Sequence, residues 1–173
     1  NLYNYRRVIG YCPQKPNLNP LITLEQNLAF AGRYFNMSEQ AIKDRIEELS
    51  QKLRLSRYLK EKSTILSGGY KQRFLIARSL MHHPKLVILD EPTVALDPHI
   101  RHQLWNYIKS LKAEGVAVLL TTHYLEEAEH LSDRVCLLER GEMKVIDSPQ
   151  NLLEKYGKSK LEDVFLTFAH DDV

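Results

Sequence analysis

Apolar residues recur at helical spacing through residues 20–65 of the chain. Thr23 followed by Gln26 has the pattern of a capping box, in which each side chain bonds the other residue's backbone at a helix start. A second helix is predicted to begin at Ser38, because apolar positions then recur every three or four residues as far as Leu53. This segment is therefore predicted to be a helical block.

Short apolar runs alternate with helices elsewhere in the chain. Residues 6–11, 86–89 and 116–120 have the length of strands and contain few polar residues. A helix that begins after Asp97 and is ended by Gly115 separates two of these runs. The pattern predicts a parallel sheet covered on both faces, in which residues 116–120 form a buried strand.

The last part of the chain is predicted to be a hairpin followed by helices. Residues 134–139 and 142–146 have the pattern of two strands joined at Arg140 and Gly141. Ser148, which precedes a proline, marks the start of a last pair of helices. The pattern as a whole predicts an α/β fold.

The composition excludes several classes of protein. A chain of 173 residues with 43% hydrophobic and 27% charged residues is typical of one globular domain. Lys and Arg number 24 against 22 Asp and Glu, without a long run of one sign, so nucleic acid is not an expected partner. Cys12 and Cys136 fit a reducing cytoplasm rather than a disulfide or zinc framework. The apolar runs have strand length, so any membrane role requires a partner.

The most distinctive chemical pattern is LSGGYKQR at residues 66–73, just before a predicted helix. Gly68 and Gly69 expose backbone N–H groups, and the positive end of the helix dipole adds to them, so the pattern favours an anion. Ser67 contributes a hydroxyl donor. The alternative interpretation is a turn that caps a helix.

A second pattern, LVILDEPT at residues 86–93, places Asp90 and Glu91 at the C-terminal end of an apolar strand. Ligands of open α/β sheets bind at such strand ends. Magnesium takes only one or two carboxylates and keeps several waters, so Asp90 suits a metal contact through water. Glu91 can accept a proton from a water molecule. Without other motifs, the pair would be interpreted as a solvated loop entrance.

With these motifs the sequence resembles the nucleotide-binding domain of ABC transporters over essentially its whole length. Ser67, Gly68 and Gly69 resemble the signature loop, which contacts a nucleotide. Asp90 resembles the Walker B acid, which contacts the nucleotide through its metal, and Glu91 resembles the catalytic glutamate.

Three further positions carry the same resemblance. Asp97, at the end of an Ala-Leu-Asp segment, resembles the D-loop aspartate, which lies at the nucleotide. His123 resembles the catalytic switch histidine, and Gln14 resembles the Q-loop glutamine, which contacts the nucleotide and shares Mg²⁺ with Asp90. The implied cofactors are therefore ATP and Mg²⁺. Residues 121–128, with the ending of the chain, are most similar to the subfamily that serves ABC-2 type exporters.

The resemblance implies a P-loop NTPase (RecA-like) core with an inserted helical subdomain, truncated at the N-terminus. Its parts would be a strand and the Q-loop at residues 1–19, a helical signature subdomain at 20–80, a RecA-like core at 81–146 and C-terminal helices at 147–173. In the family, two such domains close head to tail over two ATP molecules.

The implied function is ATP hydrolysis coupled to export at the cytoplasmic face of a membrane, where the protein is bound peripherally. The implied partners are a second ABC ATPase domain, in a homodimer, and a transmembrane permease. Two alternatives stay open: a non-transport ABC ATPase of translation or DNA maintenance, and a catalytically dead fragment.

Some positions depart from the family pattern. The sequence has no G-x-x-x-x-G-K-[ST] P-loop, which the family places upstream of Gln14, and it begins with Asn1. We therefore expect the start of the gene product to be missing, and the 173 residues alone to bind ATP weakly and to be inactive. Tyr70 stands where many signatures have glutamine, and Val94 stands at a D-loop position that usually holds a smaller residue.

Two other patterns resemble functional sites only superficially. Gly157, in a Gly-Lys-Ser triplet, follows a helix rather than a strand and is predicted to end that helix. His82 and His83 are adjacent, and adjacent residues on a helix point to different sides, so a metal pair is not expected. Both are predicted to lie at the exposed end of the signature helix.

Overall fold

The computed structural model describes residues 2–169 of the chain and the side chains of residues 5–168. The helices are α1 (Leu2–Val8), α2 (Leu24–Tyr34), α3 (Glu39–Lys52), α4 (Gly68–Ser79), α5 (Pro98–Ala113), α6 (Leu125–Leu131), α7 (Pro149–Tyr156) and α8 (Leu161–Ala169). The strands are β1 (Ile9–Cys12), β2 (Leu86–Asp90), β3 (Ala117–Thr121), β4 (Val135–Glu139) and β5 (Glu142–Asp147). The chain divides into two compact units, Asn1–Thr121 and Thr122–Val173. Within residues 2–169, no helix combines the length and the hydropathy that crossing a membrane requires.

The first unit contains a parallel sheet with the strand order β1-β2-β3. Helix α4 packs directly on β1 at Gly10, where a Cβ atom would lie 2.2 Å from the carbonyl oxygen of Ser79. Only glycine allows the two backbones to approach so closely. Parallel strands joined through helices confirm the predicted α/β class.

The helical block begins where the sequence predicts. Thr23 and Gln26 form a reciprocal capping box at the start of α2, and the Ser38 side chain caps α3. Arg45 on α3 donates from Nε and Nη2 to the carbonyl oxygen of Leu80, at 3.2 and 2.9 Å. This buried arginine therefore holds α3 to the end of α4.

Two strand predictions are wrong in detail. Residues 6–8 are helical, and β1 begins only at Ile9, where pairing with Leu86 of β2 starts. The strand predicted to be buried is β3, the edge strand of the described sheet, and its Leu119 is 55% exposed. An apolar run indicates that a segment tends to form a strand. Whether the side chains of that strand are buried depends on what packs against it.

The prediction that both histidines are exposed is wrong for His82. Its ring stacks on Phe35 with centroids 3.6 Å apart, and its Nε2 lies 3.0 Å from the carbonyl oxygen of Ile9. Burial lowers the pKa of His82. His83 is exposed, as predicted, and has a left-handed backbone with a φ of 52°. The two neighbours differ because the ring of Phe35, far away in the sequence, covers the ring of His82.

The second unit has a core of its own. Strands β4 and β5 form the predicted antiparallel hairpin, with a register shift between Leu137 and Leu138. Ser148 caps α7, and Gly157 ends it in the left-handed conformation with a φ of 61°, as expected for a helix terminus. The buried core residues are Ala128, Val135, Leu137, Leu152, Leu161 and Val164.

The two cysteines are predicted to differ in reactivity. Cys12 is fully buried, and its burial raises the pKa of the thiol to about 12, whereas Cys136 is exposed. Because the thiolate is the nucleophile, only Cys136 should react rapidly with Ellman's reagent at neutral pH, and Cys12 should react only after unfolding. Cys136→Ser should remove the rapid absorbance change. Rapid labelling of the folded Cys136→Ser variant would contradict the burial of Cys12.

Candidate functional site

The ends of β2 and β3 place a threonine hydroxyl between two functional groups. Thr121 Oγ1 donates to Asp90 Oδ1 at 2.7 Å. The backbone N–H of Glu91 donates to the carbonyl oxygen of Thr121 at 3.1 Å and lies 3.2 Å from Oγ1 of the same residue. The register that pairs Asp90 with Thr121 brings these groups together. Thr121 therefore restrains both the Asp90 carboxylate and the Glu91 backbone.

Gln14 joins this group from the loop after β1. Its Nε2 donates to Glu91 Oε2 at 2.7 Å. Since β1 pairs with β2, the residues that follow the two strands lie at the same edge of the sheet. The structure thus brings together Gln14, Asp90 and Glu91, three of the residues that the sequence analysis singled out.

The backbone of the loop after β2 adopts uncommon conformations. Glu91 has a φ of 46° and Ala95 a φ of 57°, both in the left-handed region. A residue other than glycine held there costs about 1 kcal/mol or more, and such residues cluster at functional sites. The two acceptors on Thr121 stabilise this conformation at Glu91.

The oxygen atoms at the strand ends suit a hard cation. Gln14 uses its amide nitrogen to bond Glu91, which leaves its carbonyl oxygen as a ligand. Asp90 accepts from Thr121 through Oδ1 at 2.7 Å and from the Tyr11 hydroxyl through Oδ2 at 3.5 Å, and each carboxylate oxygen has a further lone pair. One amide oxygen and one carboxylate are the donors that Mg²⁺ takes while keeping several waters. The residues present therefore fit Mg²⁺.

A second group of candidate residues surrounds the start of α4. Ser67 occupies the N-cap position, yet its side chain makes no capping hydrogen bond. This argues against the interpretation of the motif as a simple helix cap. A Cβ atom would meet nothing within 4 Å at Gly68, whereas at Gly69 it would lie 3.1 Å from Ile100 Cγ2. The space where a side chain would begin is therefore empty at Gly68, and Gly69 allows close packing on α5.

These residues line a cavity of about 270 Å³, which we call the signature cavity. Asp97 lies on its wall with Ser67, Gly68 and Gly69. The Oδ1 atom of Asp97 accepts the N–H of Ile100 at 3.0 Å, so this side chain also caps α5. The structure thus shows that Asp97 caps α5, a role that the sequence did not predict. The role of Asp97 at a nucleotide stays a prediction.

His123 lies in the second unit, two residues beyond β3 in the sequence. It is exposed, and its ring centroid lies 4.2 Å from that of Tyr124. The backbone N–H of Tyr124 donates to Thr122 Oγ1 at 3.0 Å, which orders the segment that carries the histidine.

Thr121 is a site residue that the motifs of the sequence do not identify. Threonine is common at strand ends and in turns, so its type alone carries no signal. What identifies Thr121 is its position at the end of β3, because β3 pairs with β2 and Thr121 lies opposite Asp90. That pairing is visible only once the strands are in register.

The sequence profile described as ABC transporter matches residues 1–94. A Nod factor export ATP-binding protein I from Rhizobium sp. (strain N33) is 42% identical over 160 residues, which are 92% of this chain and 53% of that protein. The protein of the same name from Rhizobium meliloti is 45% identical over 158 residues, 91% of this chain and 47% of that protein. The chain spans about half the length of the curated relatives it matches.

Solved structures share the architecture of the chain. One described as the ATP binding subunit of an ABC transporter has a TM-score of 0.85 and 30% identity, covering 98% of this chain and 71% of that chain. An ATP-binding cassette in a dimeric post-hydrolysis state, bound to ADP and Pi, has a TM-score of 0.76 and 30% identity, covering 85% and 65%.

Proposed function

The chain belongs to the ABC transporter family, and from this membership we propose that it is part of the ATP-binding and ATP-hydrolysing subunit of a membrane exporter. The observation that carries the proposal is the group at the strand ends, where Gln14 meets Glu91 and Thr121 meets Asp90. Relatives named for Nod factor export favour export as the direction.

The chemistry assigned to this site is in-line attack of water on the γ-phosphate of ATP. Glu91 accepts the proton of the attacking water, and the hydrogen bond from Gln14 orients its carboxylate. Gln14 and Asp90, the latter through water, would hold Mg²⁺, and this ion would supply positive charge to neutralise the phosphate groups. His123 is assigned to the charge that develops on the γ-phosphate.

The signature cavity is assigned to a nucleotide held by a second ABC ATPase domain, in a homodimer. Two observations support this. The Ser67 hydroxyl is not used as a helix cap, and a Cβ atom at Gly68 would meet nothing within 4 Å. Donors at a helix start favour phosphate oxygens. The dimeric form of a structural relative is consistent with such an arrangement.

The membrane partner is proposed to be a permease, with this subunit peripheral at the cytoplasmic face. Helix α2 exposes Phe30 and Tyr34, which are four residues apart on one face, and Leu21 is exposed just before the helix. Exposed apolar side chains that lie together mark protein contacts. We assign this surface to the permease.

The proposal is tested with the complete gene product by measuring phosphate release from ATP, and molecular mass with and without ATP. Hydrolysis is expected to require Mg²⁺, so EDTA should stop it. Under conditions that prevent hydrolysis, ATP is expected to shift the protein from monomer to dimer mass. A complete protein that binds ATP with Mg²⁺ and releases no phosphate would contradict the assignment.

Thr121→Val is expected to lower kcat about tenfold with little change in KM for ATP. The variant keeps the shape but loses the hydroxyl that bonds the Asp90 carboxylate and that is one of two acceptors near the Glu91 N–H. Thr121→Ser keeps the hydroxyl and should retain most of the rate. Thr167→Val is the matched control, since it removes a hydroxyl that bonds the carbonyl oxygen of Val164 in α8 instead. Equal losses in Thr121→Val and Thr121→Ser would show that the hydroxyl is not the cause.

A further inference from the structure

A depression of about 510 Å³ lies beside the signature cavity and shares Tyr70, Arg73 and Ile100 with it. We call it the arginine pocket, because its lining includes Arg54, Arg57 and Arg73, together with His99. None of the described residues that line it carries a carboxylate. Three arginines thus line one depression without an acidic residue among the described lining residues.

Arg57 is held in place by aromatic neighbours. Its Nη2 donates to Tyr70 Oη at 2.7 Å, and its guanidinium carbon lies 4.7 Å from the ring centroid of Tyr58. The rings of Tyr58 and Tyr70 are themselves in contact, with centroids 4.5 Å apart. Neither partner of the guanidinium is an anion, so its charge is positioned but not neutralised. Tyr70, the residue that departs from the common signature, therefore orders an arginine.

Arg73 forms the buried side of the pocket. Its Nη1 donates to the carbonyl oxygen of Leu53 at 3.3 Å, and its Nη2 donates to Gln103 Oε1 at 2.7 Å. Both acceptors are neutral. Burial lowers the pKa of Arg73, and among its charged neighbours Arg54 lowers this pKa whereas Tyr70 and Asp97 raise it. The pocket thus contains a positive charge, on Arg73, whose two hydrogen-bond acceptors are both neutral.

Arg54 completes the lining from the loop after α3. It has a φ of 57°, a left-handed conformation that is uncommon outside glycine. The following residue, Leu55, is fully buried, which anchors the loop and the surface position of Arg54. Like charges gathered in this way repel one another, and a bound anion removes that repulsion.

We propose that the arginine pocket binds a phosphate-type anion, either inorganic phosphate or the phosphate group of a nucleotide, between the guanidinium groups of Arg54 and Arg57. The planar fork of a guanidinium donates two parallel N–H bonds to phosphate oxygens, which suits this anion better than chloride. The shared wall places the site next to the signature cavity. Tyr70 acts as a positioning residue for Arg57.

The test follows the arginine Nε–Hε resonances of the ¹⁵N-labelled chain during addition of inorganic phosphate or ADP at constant ionic strength. Saturable shifts of Arg54 and Arg57 are expected at millimolar concentration. Shifts on addition of inorganic phosphate would show that the free anion is sufficient for binding. Shifts with ADP but not with inorganic phosphate would show that the ligand is the phosphate group of a nucleotide. Arg54→Gln and Arg57→Gln should each weaken binding about tenfold.

Lys43→Gln is the matched control, because it removes the same charge from an exposed position on α3 outside the pocket. Its affinity should equal that of the parent. Arg54 lies on the surface, so Arg54→Gln should leave thermal unfolding unchanged and separates binding from folding. The proposal is overturned if neither anion gives a saturable shift, if chloride gives the same shift, or if Lys43→Gln weakens binding as much as Arg54→Gln.

Discussion

Glu91→Gln is expected to slow ATP hydrolysis about a hundredfold or more while leaving ATP binding intact. The amide has the shape of the carboxylate but cannot accept a proton from the attacking water. The hydrogen bond from Gln14 should survive, since its donor can still bond the amide oxygen of the replacement. The site should therefore keep its geometry and lose its base.

Single-turnover hydrolysis and nucleotide affinity, measured on the complete protein, separate these two effects. Closed dimers should accumulate with ATP, because hydrolysis no longer reopens them. Glu126→Gln removes a carboxylate from the exposed surface of α6 and serves as the control. Turnover near that of the parent in Glu91→Gln would show that another group accepts the proton.

Ser67→Arg is expected to abolish ATP-driven dimer closure, and with it hydrolysis, while the monomer still binds ATP. The long side chain would fill the signature cavity, which holds only about 270 Å³. It would also remove a hydroxyl that is not used in helix capping. The group at Gln14, Asp90 and Glu91 would be untouched. Equilibrium binding by the monomer, dimer mass and phosphate release measure the three quantities separately.

Mixed dimers test the geometry of this assignment. In a dimer of one Ser67→Arg subunit and one Glu91→Gln subunit, both lesions can fall on the same composite site, which leaves the other site chemically complete. Such mixtures should hydrolyse ATP faster than either homodimer if the two sites act independently. Ser67→Arg homodimers that close and hydrolyse ATP like the parent would restore the interpretation of residues 66–73 as a turn and cap.

The parts of the site that could be predicted are those encoded over short stretches. Asp90 and Glu91 lie at the end of an apolar strand, and Ser67 lies at the start of a helix. The local sequence pattern therefore identifies all three residues. Gln14 meets Glu91 because β1 and β2 are neighbours in the sheet, a strand order that the expectation of a parallel sheet did not specify. The roles of these residues remain predictions.

The parts that could not be predicted depend on contacts between distant residues. Thr121 gains its position from the register between β2 and β3, and His82 is covered by Phe35. The arginine pocket assembles Arg54 and Arg57 with a buried residue of α4 and a residue of α5. Hydrophobic periodicity describes one helix or strand at a time, so it contains no information on contacts between residues of different elements.

The contrast between the two cysteines has a practical consequence. The sequence contains one buried and one accessible thiol, and the accessible one, Cys136, lies within β4 of the second unit. A fluorophore or a spin label attached there needs no engineered residue and no removal of Cys12. Among the cysteines of these 173 residues, only the one at this position would carry the probe, so distances between copies of the second unit could be followed from it.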